Sequence, residues 1–131
     1  LFRSGRVIHG QALGRTLGYP TLNIAPIPPG SRARPALAGV FAVKVSGLGP
    51  AEQCGVASLG LRPTVSSARR WLLETHVFDW KGDAYGRPVT VRFIERIRGE
   101  KKFSGLEELQ AAIAADARRA RQILGLAPNG E

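Results

Sequence analysis

Six strand-sized apolar segments come first in this chain and one amphipathic stretch comes last, and that order constrains the fold more than any other feature. The first segment runs from Gly5 to His9, and residues 10–19, with Gly10, Gly14 and Gly18, read as a loop. A second strand is expected over Thr21–Ile24, followed by an irregular connection marked by Pro26, Pro28, Pro29, Gly30 and Pro35. Phe41, Val43 and Val45 then alternate with Ala42, Lys44 and Ser46, and Gly47-Leu48-Gly49-Pro50 ends that strand. Gln53–Leu59 is the fourth, closed by Gly60 and Pro63, and Trp71–Asp79 is the fifth, with a turn at Lys81-Gly82-Asp83. In the sixth, Val89, Val91, Phe93 and Ile97 fall on one side and Thr90, Arg92 and Arg96 on the other. The last element begins at Ser104, with Glu107 three residues on in a capping-box pattern. Leu106, Leu109, Ile113, Ala117, Ala120 and Leu124 recur at helical spacing, and Gly125 and Pro128 supply the stop.

Parallel pairing needs crossovers of about a dozen residues or more, so the short connections favour antiparallel neighbours. Six such strands can close on themselves and leave no exposed edge. The expectation is a mainly β domain: a six-stranded antiparallel Greek-key barrel over about residues 5–98, with a C-terminal α-helix over about 105–124 packed on it. The chain of 131 residues is one ordinary domain, and it holds no apolar run long enough to span a bilayer and no signal-like leader. It also lacks methionine, so Leu1 is expected to follow a cut in a longer protein. Cys54 is the only cysteine, which rules out an internal disulfide and makes a cytoplasmic home the expectation.

The formal net charge is +9, supplied mostly by arginine, with only four lysines. Such a balance suits an anionic partner, and a basic barrel that binds nucleic acid is the alternative reading of this chain. Against it, aromatic residues make up only 7% of the chain, and single-strand binders stack bases on aromatics. The basic groups are also scattered: Arg32 and Arg34, Arg69 and Arg70, and Arg118, Arg119 and Arg121 form separate clusters. Neither a nucleic acid nor a membrane is expected as a partner.

Three segments carry residues suited to chemistry. Gly10, Gly14 and Gly18 allow backbone N–H groups to approach phosphate oxygens, and Arg15 among them has a fork that fits phosphate. Behind this loop, Thr21 and Asn23 in Pro20-Thr21-Leu22-Asn23 share one face of an extended chain. A hydroxyl and an amide oxygen side by side are neutral hard ligands of the kind Mg²⁺ accepts while keeping water and substrate phosphates in its other positions. Glu74 lies mid-strand in apolar company, a candidate general base toward a substrate hydroxyl, and His76 shares its face as a structural hydrogen-bonding group. Arg98-Gly99-Glu100-Lys101-Lys102-Phe103 joins the last strand to the helix and gathers charge and an aromatic ring at a helix start.

Together these segments resemble the riboflavin kinase family. The resemblance runs through Gly5–Gly10, Gly14–Asn23, Gly39–Val43, Ala57–Thr64, Glu74–Asp79, Tyr85-Gly86 and Arg98–Phe103, from about residue 5 to about residue 124. It is closest to the bacterial form, in which the module usually follows a nucleotidyltransferase domain that makes FAD. Leu22 stands where alanine is common and Tyr19 where phenylalanine is common; neither removes a functional group. The resemblance implies a six-stranded barrel with a C-terminal helix and transfer of the ATP γ-phosphoryl group to the 5′-hydroxyl of riboflavin, giving FMN and ADP. It also implies Mg²⁺ at Thr21 and Asn23 and a catalytic base at Glu74. Gly10, Arg15, Thr21, Val77, Asp79 and Tyr85 would then meet ATP, and Arg98, Lys101 and Phe103 the flavin.

Overall fold

The computed structural model describes residues 2–8, 18–26, 38–63 and 69–127. Its strands are β1 (Phe2–Ile8), β2 (Leu22–Pro26), β3 (Gly39–Ser46), β4 (Gln53–Pro63), β5 (Arg69–Val77) and β6 (Pro88–Arg98), and its helix, α1, is Leu106–Ile123. The strands form a closed barrel in the order β1-β2-β5-β4-β3-β6, with every pair antiparallel. β3, β4 and β5 are sequential neighbours and β6 returns beside β3, which is the Greek-key arrangement expected from the connections. β4 runs through Gly60 to Pro63, past the glycine expected to end it, and β5 stops at Val77, two residues short of expectation.

Period-two alternation sorts the side chains into two clusters. Val7, Ile24, Phe41, Val43, Val45, Ala57, Leu59, Leu73, Val77, Val89 and Val91 fill the barrel interior. On the outer face, Val40, Ala42, Val56 and Phe78 pack against Ala117 and Ala120 of α1. β3 is therefore buried on both faces from Gly39 to Val43. Ala120 is fully buried, and its small side chain lets the helix come close to the sheet. Cys54 is half-buried at the edge of this outer cluster, a packing residue as expected.

Ile97 departs from the expected alternation. It packs with the helix-side cluster, whereas Val89, Val91 and Phe93 belong to the interior. The cause is two register shifts in the β3–β6 ladder, between Val40 and Phe41 and between Ala42 and Val43, each of which inserts an extra residue on β6. A bulge changes which face the following residues occupy. Gly39, at φ 138°, sits against the carbonyl of Arg98 where these shifts end, and a side chain there would strike that oxygen.

The capping box is not formed: Gly105 is the N-cap, with no side-chain cap bond, and the Ser104 hydroxyl instead donates to Glu108 at 2.7 Å. The C-terminus ends as expected at Gly125, with φ 73°. Leu126 N–H donates to Arg121 O and Gly125 N–H to Gln122 O, a Schellman pair. Arg121 is 4% exposed, lies over the Phe78 ring at 4.3 Å and donates to Asp79, so it pins the helix end to the turn after β5.

One interior polar group stands out. Thr75 is fully buried between Leu73 and Val77, and among the described residues its hydroxyl has no hydrogen-bond partner. An unpaired buried hydroxyl costs about 1–3 kcal/mol. Thr75→Val should therefore raise the stability of the domain by about 1 kcal/mol, read as a higher urea midpoint at unchanged slope.

Candidate active site

The barrel interior is filled with side chains, so groups with chemistry lie on its outer face. Leu73 and Val77 point inward, and the same alternation turns Glu74 and His76 outward on β5. On β2, Ile24 points inward and Asn23 outward. The ladders then align one row across the sheet: Val40 opposite Ser58, Ser58 opposite Glu74, Glu74 opposite Asn23, and Asn23 opposite Ile8. Asn23 is 7% exposed and Glu74 half-buried, so an amide and a carboxylate are cross-strand neighbours in a sheltered place.

Val40, Ser58 and Glu74 of this row line a cavity of about 360 Å³ between the sheet, the 99–103 segment and the N-terminal half of α1. That volume is within the range of small-molecule sites, roughly 300–1,000 Å³. Thr21, Ser58, Glu74 and His76 line it on the barrel side, and Leu109, Ile113 and Asp116 on the helix side. The apolar stripe of α1 is thus divided. Ala117 and Ala120 pack on the barrel, Leu109 and Ile113 face the cavity, and Leu106 is exposed.

Arg98, Lys101 and Phe103 all line the cavity. Arg98 is held firmly: its Nε donates to Asp116 Oδ1 at 2.9 Å, its Nη2 to Asp116 Oδ2 at 2.8 Å, and its Nη1 to the Gly99 carbonyl at 3.1 Å. A two-pronged arginine–carboxylate pair of this kind fixes geometry as well as charge. The guanidinium of Arg98 and the ammonium of Lys101 each lie 5.6 Å from the centre of the Phe103 ring. The segment between β6 and α1 is therefore an ordered wall of the cavity, tied to the helix through Asp116.

The other expected site residues are elsewhere. Val77 points into the barrel core, so only its main chain can meet a ligand. Asp79 has its carboxylate on Arg121, at the opposite end of α1 from the cavity. Tyr85 is exposed in a turn joined to β1 through Gly86 N–H to Val7 O, on the far side of Asn23 from Glu74. Gly10 and Arg15 lie outside the described residues.

Sequence reasoning assigned no role to Asp116 or Ser58. Asp116 had a signal: it sits on the helix between Ile113 and Ala117, and an acid within an apolar arc must find a partner once buried. Ser58 had none, because its place opposite Glu74 is a property of the β4–β5 register. Among the described residues four arginines are taken up in separate ion pairs. Arg92 pairs with Glu52, Arg98 with Asp116, Arg119 with Glu95 and Arg121 with Asp79.

Among the described residues no group of three or more His, Cys, Asp or Glu side chains is placed to hold a metal ion. The donors at hand are the Thr21 hydroxyl and the Asn23 amide oxygen, beside the Glu74 carboxylate. Such a sparse set of neutral oxygen donors fits Mg²⁺ held mainly by a substrate's phosphates, and does not fit a fully protein-ligated cation. Among the described residues no helix is long and apolar enough to cross a membrane.

The chain is 46% identical over 123 residues to a bifunctional riboflavin kinase/FMN adenylyltransferase of Escherichia coli (strain K12), a match that covers 94% of the chain and 38% of that protein. It thus spans well under half the length of this relative. Among solved structures, a riboflavin kinase from Trypanosoma brucei superposes with a TM-score of 0.58 at 26% identity, covering 95% of the chain and 79% of that protein. A protein of Streptococcus pneumoniae described as a macrolide-efflux protein superposes at 0.74 with 33% identity, covering 88% of the chain and 36% of that larger protein. The model of the riboflavin kinase family (Flavokinase) matches residues 1–124, nearly the whole chain, and the chain belongs to that family.

Proposed function

We propose that this chain is a riboflavin kinase domain, transferring the γ-phosphoryl group of ATP to the 5′-hydroxyl of riboflavin to give FMN and ADP. The observation that carries the reading is Glu74, paired across the strands with Asn23 and lining with Thr21 a cavity that has one apolar wall. Mg²⁺ bound with the nucleotide would sit at Thr21 and Asn23 and neutralise charge on the phosphates. The nucleotide would approach from the β1 side, where the Tyr85 turn lies, and the acceptor from the β5–β4 side, in the cavity.

Glu74 orients the ribityl hydroxyl and accepts its proton as the oxygen attacks the γ-phosphorus and the bond to the ADP oxygen breaks. Phosphoryl transfer asks mainly for placement and charge neutralisation, so one well-placed carboxylate suffices for the acceptor side. Leu109, Ile113 and Phe103 offer the flavin ring system an apolar surface. Lys101 contributes a cation at that edge, and Arg98 acts through its grip on Asp116. Gly10 and Arg15 remain the residues proposed to close over the phosphates. The separate, partly paired arginines give the nucleic-acid reading no specific support. The bifunctional relative suggests that the full-length protein carries an FMN adenylyltransferase domain ahead of this one, working in the cytoplasm on the FMN made here.

The full-length protein incubated with riboflavin, ATP and Mg²⁺ should form FMN, resolved by chromatography; absence of FMN from the wild-type protein would overturn the reading. Glu74→Gln should lower kcat by about 100-fold or more without a matching loss of nucleotide affinity. Asp116→Asn weakens the hold on Arg98 and should raise KM for riboflavin by about fivefold or more, leaving KM for MgATP nearly unchanged. Equal effects on both substrates would show that the 99–103 wall does not serve the flavin side.

A further inference from the structure

The proposed function needs the Thr21 hydroxyl in a fixed place, yet Thr21 precedes the ladder: β2 begins at Leu22, which pairs with Thr75. Pro20 before it has no N–H to offer a neighbouring strand. A side chain takes over that task. His76, 7% exposed on β5, has its Nδ1 at 2.8 Å from the Pro20 carbonyl oxygen. A carbonyl only accepts, so Nδ1 carries the proton and donates. The imidazole is itself gripped edge-on between two rings, Tyr19 at 5.4 Å and 78° and Phe78 at 5.5 Å and 76°. Phe78 in turn carries the buried Arg121 guanidinium over its ring at 4.3 Å. A continuous stack thus runs from the end of α1 along the outer face of β5 to the residue pair before Thr21.

We infer that His76 is a positioning residue for Thr21. The Pro20 carbonyl and the Thr21 N–H and Cα lie in one peptide plane, so anchoring the carbonyl sets where the Thr21 side chain starts. Mg²⁺ demands near-ideal octahedral geometry at about 2.0–2.1 Å, and a small drift of one donor oxygen weakens the site. His76 acts through Thr21 and leaves proton transfer to Glu74, two residues away on the same face. The inference rests on the reading of Thr21 and Asn23 as the Mg-nucleotide side of the site.

Two substitutions in the full-length protein separate the hydrogen bond from the ring. His76→Phe keeps a ring in the stack and removes the donor. His76→Asn removes the ring and keeps an N–H close to the place of Nδ1. Calorimetric titration of ADP with and without Mg²⁺ reads the site without turnover. His76→Phe should weaken MgADP binding by about tenfold, the scale of a lost outer contact to a metal ligand, with Mg-free ADP binding unchanged. His76→Asn should recover most of that loss, and Thr21→Ala should reproduce it. If Thr21→Ala weakens MgADP binding and His76→Phe does not, the positioning role is wrong while the metal reading stands. If His76→Asn is as weak as His76→Phe, or the loss extends equally to Mg-free ADP, the effect does not run through the hydrogen bond to a metal ligand and the inference falls. If Thr21→Ala leaves MgADP binding intact, the metal reading fails and takes the inference with it.

Discussion

The β2–β5 ladder is the joint on which both the barrel and its site depend. It is short: Leu22 opposite Thr75, Asn23 opposite Glu74 and Ile24 opposite Leu73. It joins strands far apart in sequence, so its register is set by what each residue buries. Ile24 and Leu73 meet in the core while Asn23 and Glu74 meet outside it. A slip of one residue would send Asn23 into the barrel and Ile24 into solvent, at a cost of several kcal/mol, about 1.5–3 for the isoleucine alone and more for the buried amide. The hydrophobic core thus enforces the geometry of the polar row at no further expense in specific contacts.

The helix completes what this ladder begins. Its C-terminal half carries alanines where the sheet comes close, and the Arg121 contacts fix its end. Its N-terminal half carries Leu109 and Ile113, larger groups that cannot pack as tightly and so border an open space. Asp116 lies where the two halves meet and reaches Arg98, so one carboxylate links the packed half of the helix to the wall of the cavity. Packing and site share the same element, divided by side-chain size along one stripe.

How legible this was in the residues follows from the range of the signals. Alternation in Phe41–Ser46 and helical spacing from Leu109 to Leu124 are local, and they were enough to indicate the barrel and the helix. Gly125 ended the helix as expected because its left-handed φ is a local demand that glycine meets. Ile97 was misassigned because its face depends on bulges in pairing with β3, which no property of β6 alone announces. Ser104 and Glu107 fit a capping box by spacing, yet Ser104 spends its hydroxyl on Glu108, one residue further along. Within the candidate site, Thr21, Asn23 and Glu74 could be singled out by residue type. The partners of Arg98 and His76 could not, because Asp116 and the Pro20 carbonyl come from elements that meet only in the folded chain.

A six-stranded barrel of this size leaves no room inside for a flavin or a nucleotide, because valine, leucine and phenylalanine side chains fill it. Chemistry is forced to the outer face, and there alternation helps: every residue between two core positions is already turned outward. Glu74 between Leu73 and Thr75, and Asn23 between Leu22 and Ile24, are such residues. An outward carboxylate would normally stay in water, its position loose. The 99–103 wall and the helix change that by enclosing one side of the row without reaching its other end at β1. Under the proposed function the Asn23–Glu74 pair would be approached from two sides, the arrangement that suits a reaction joining two different substrates at one transferred group.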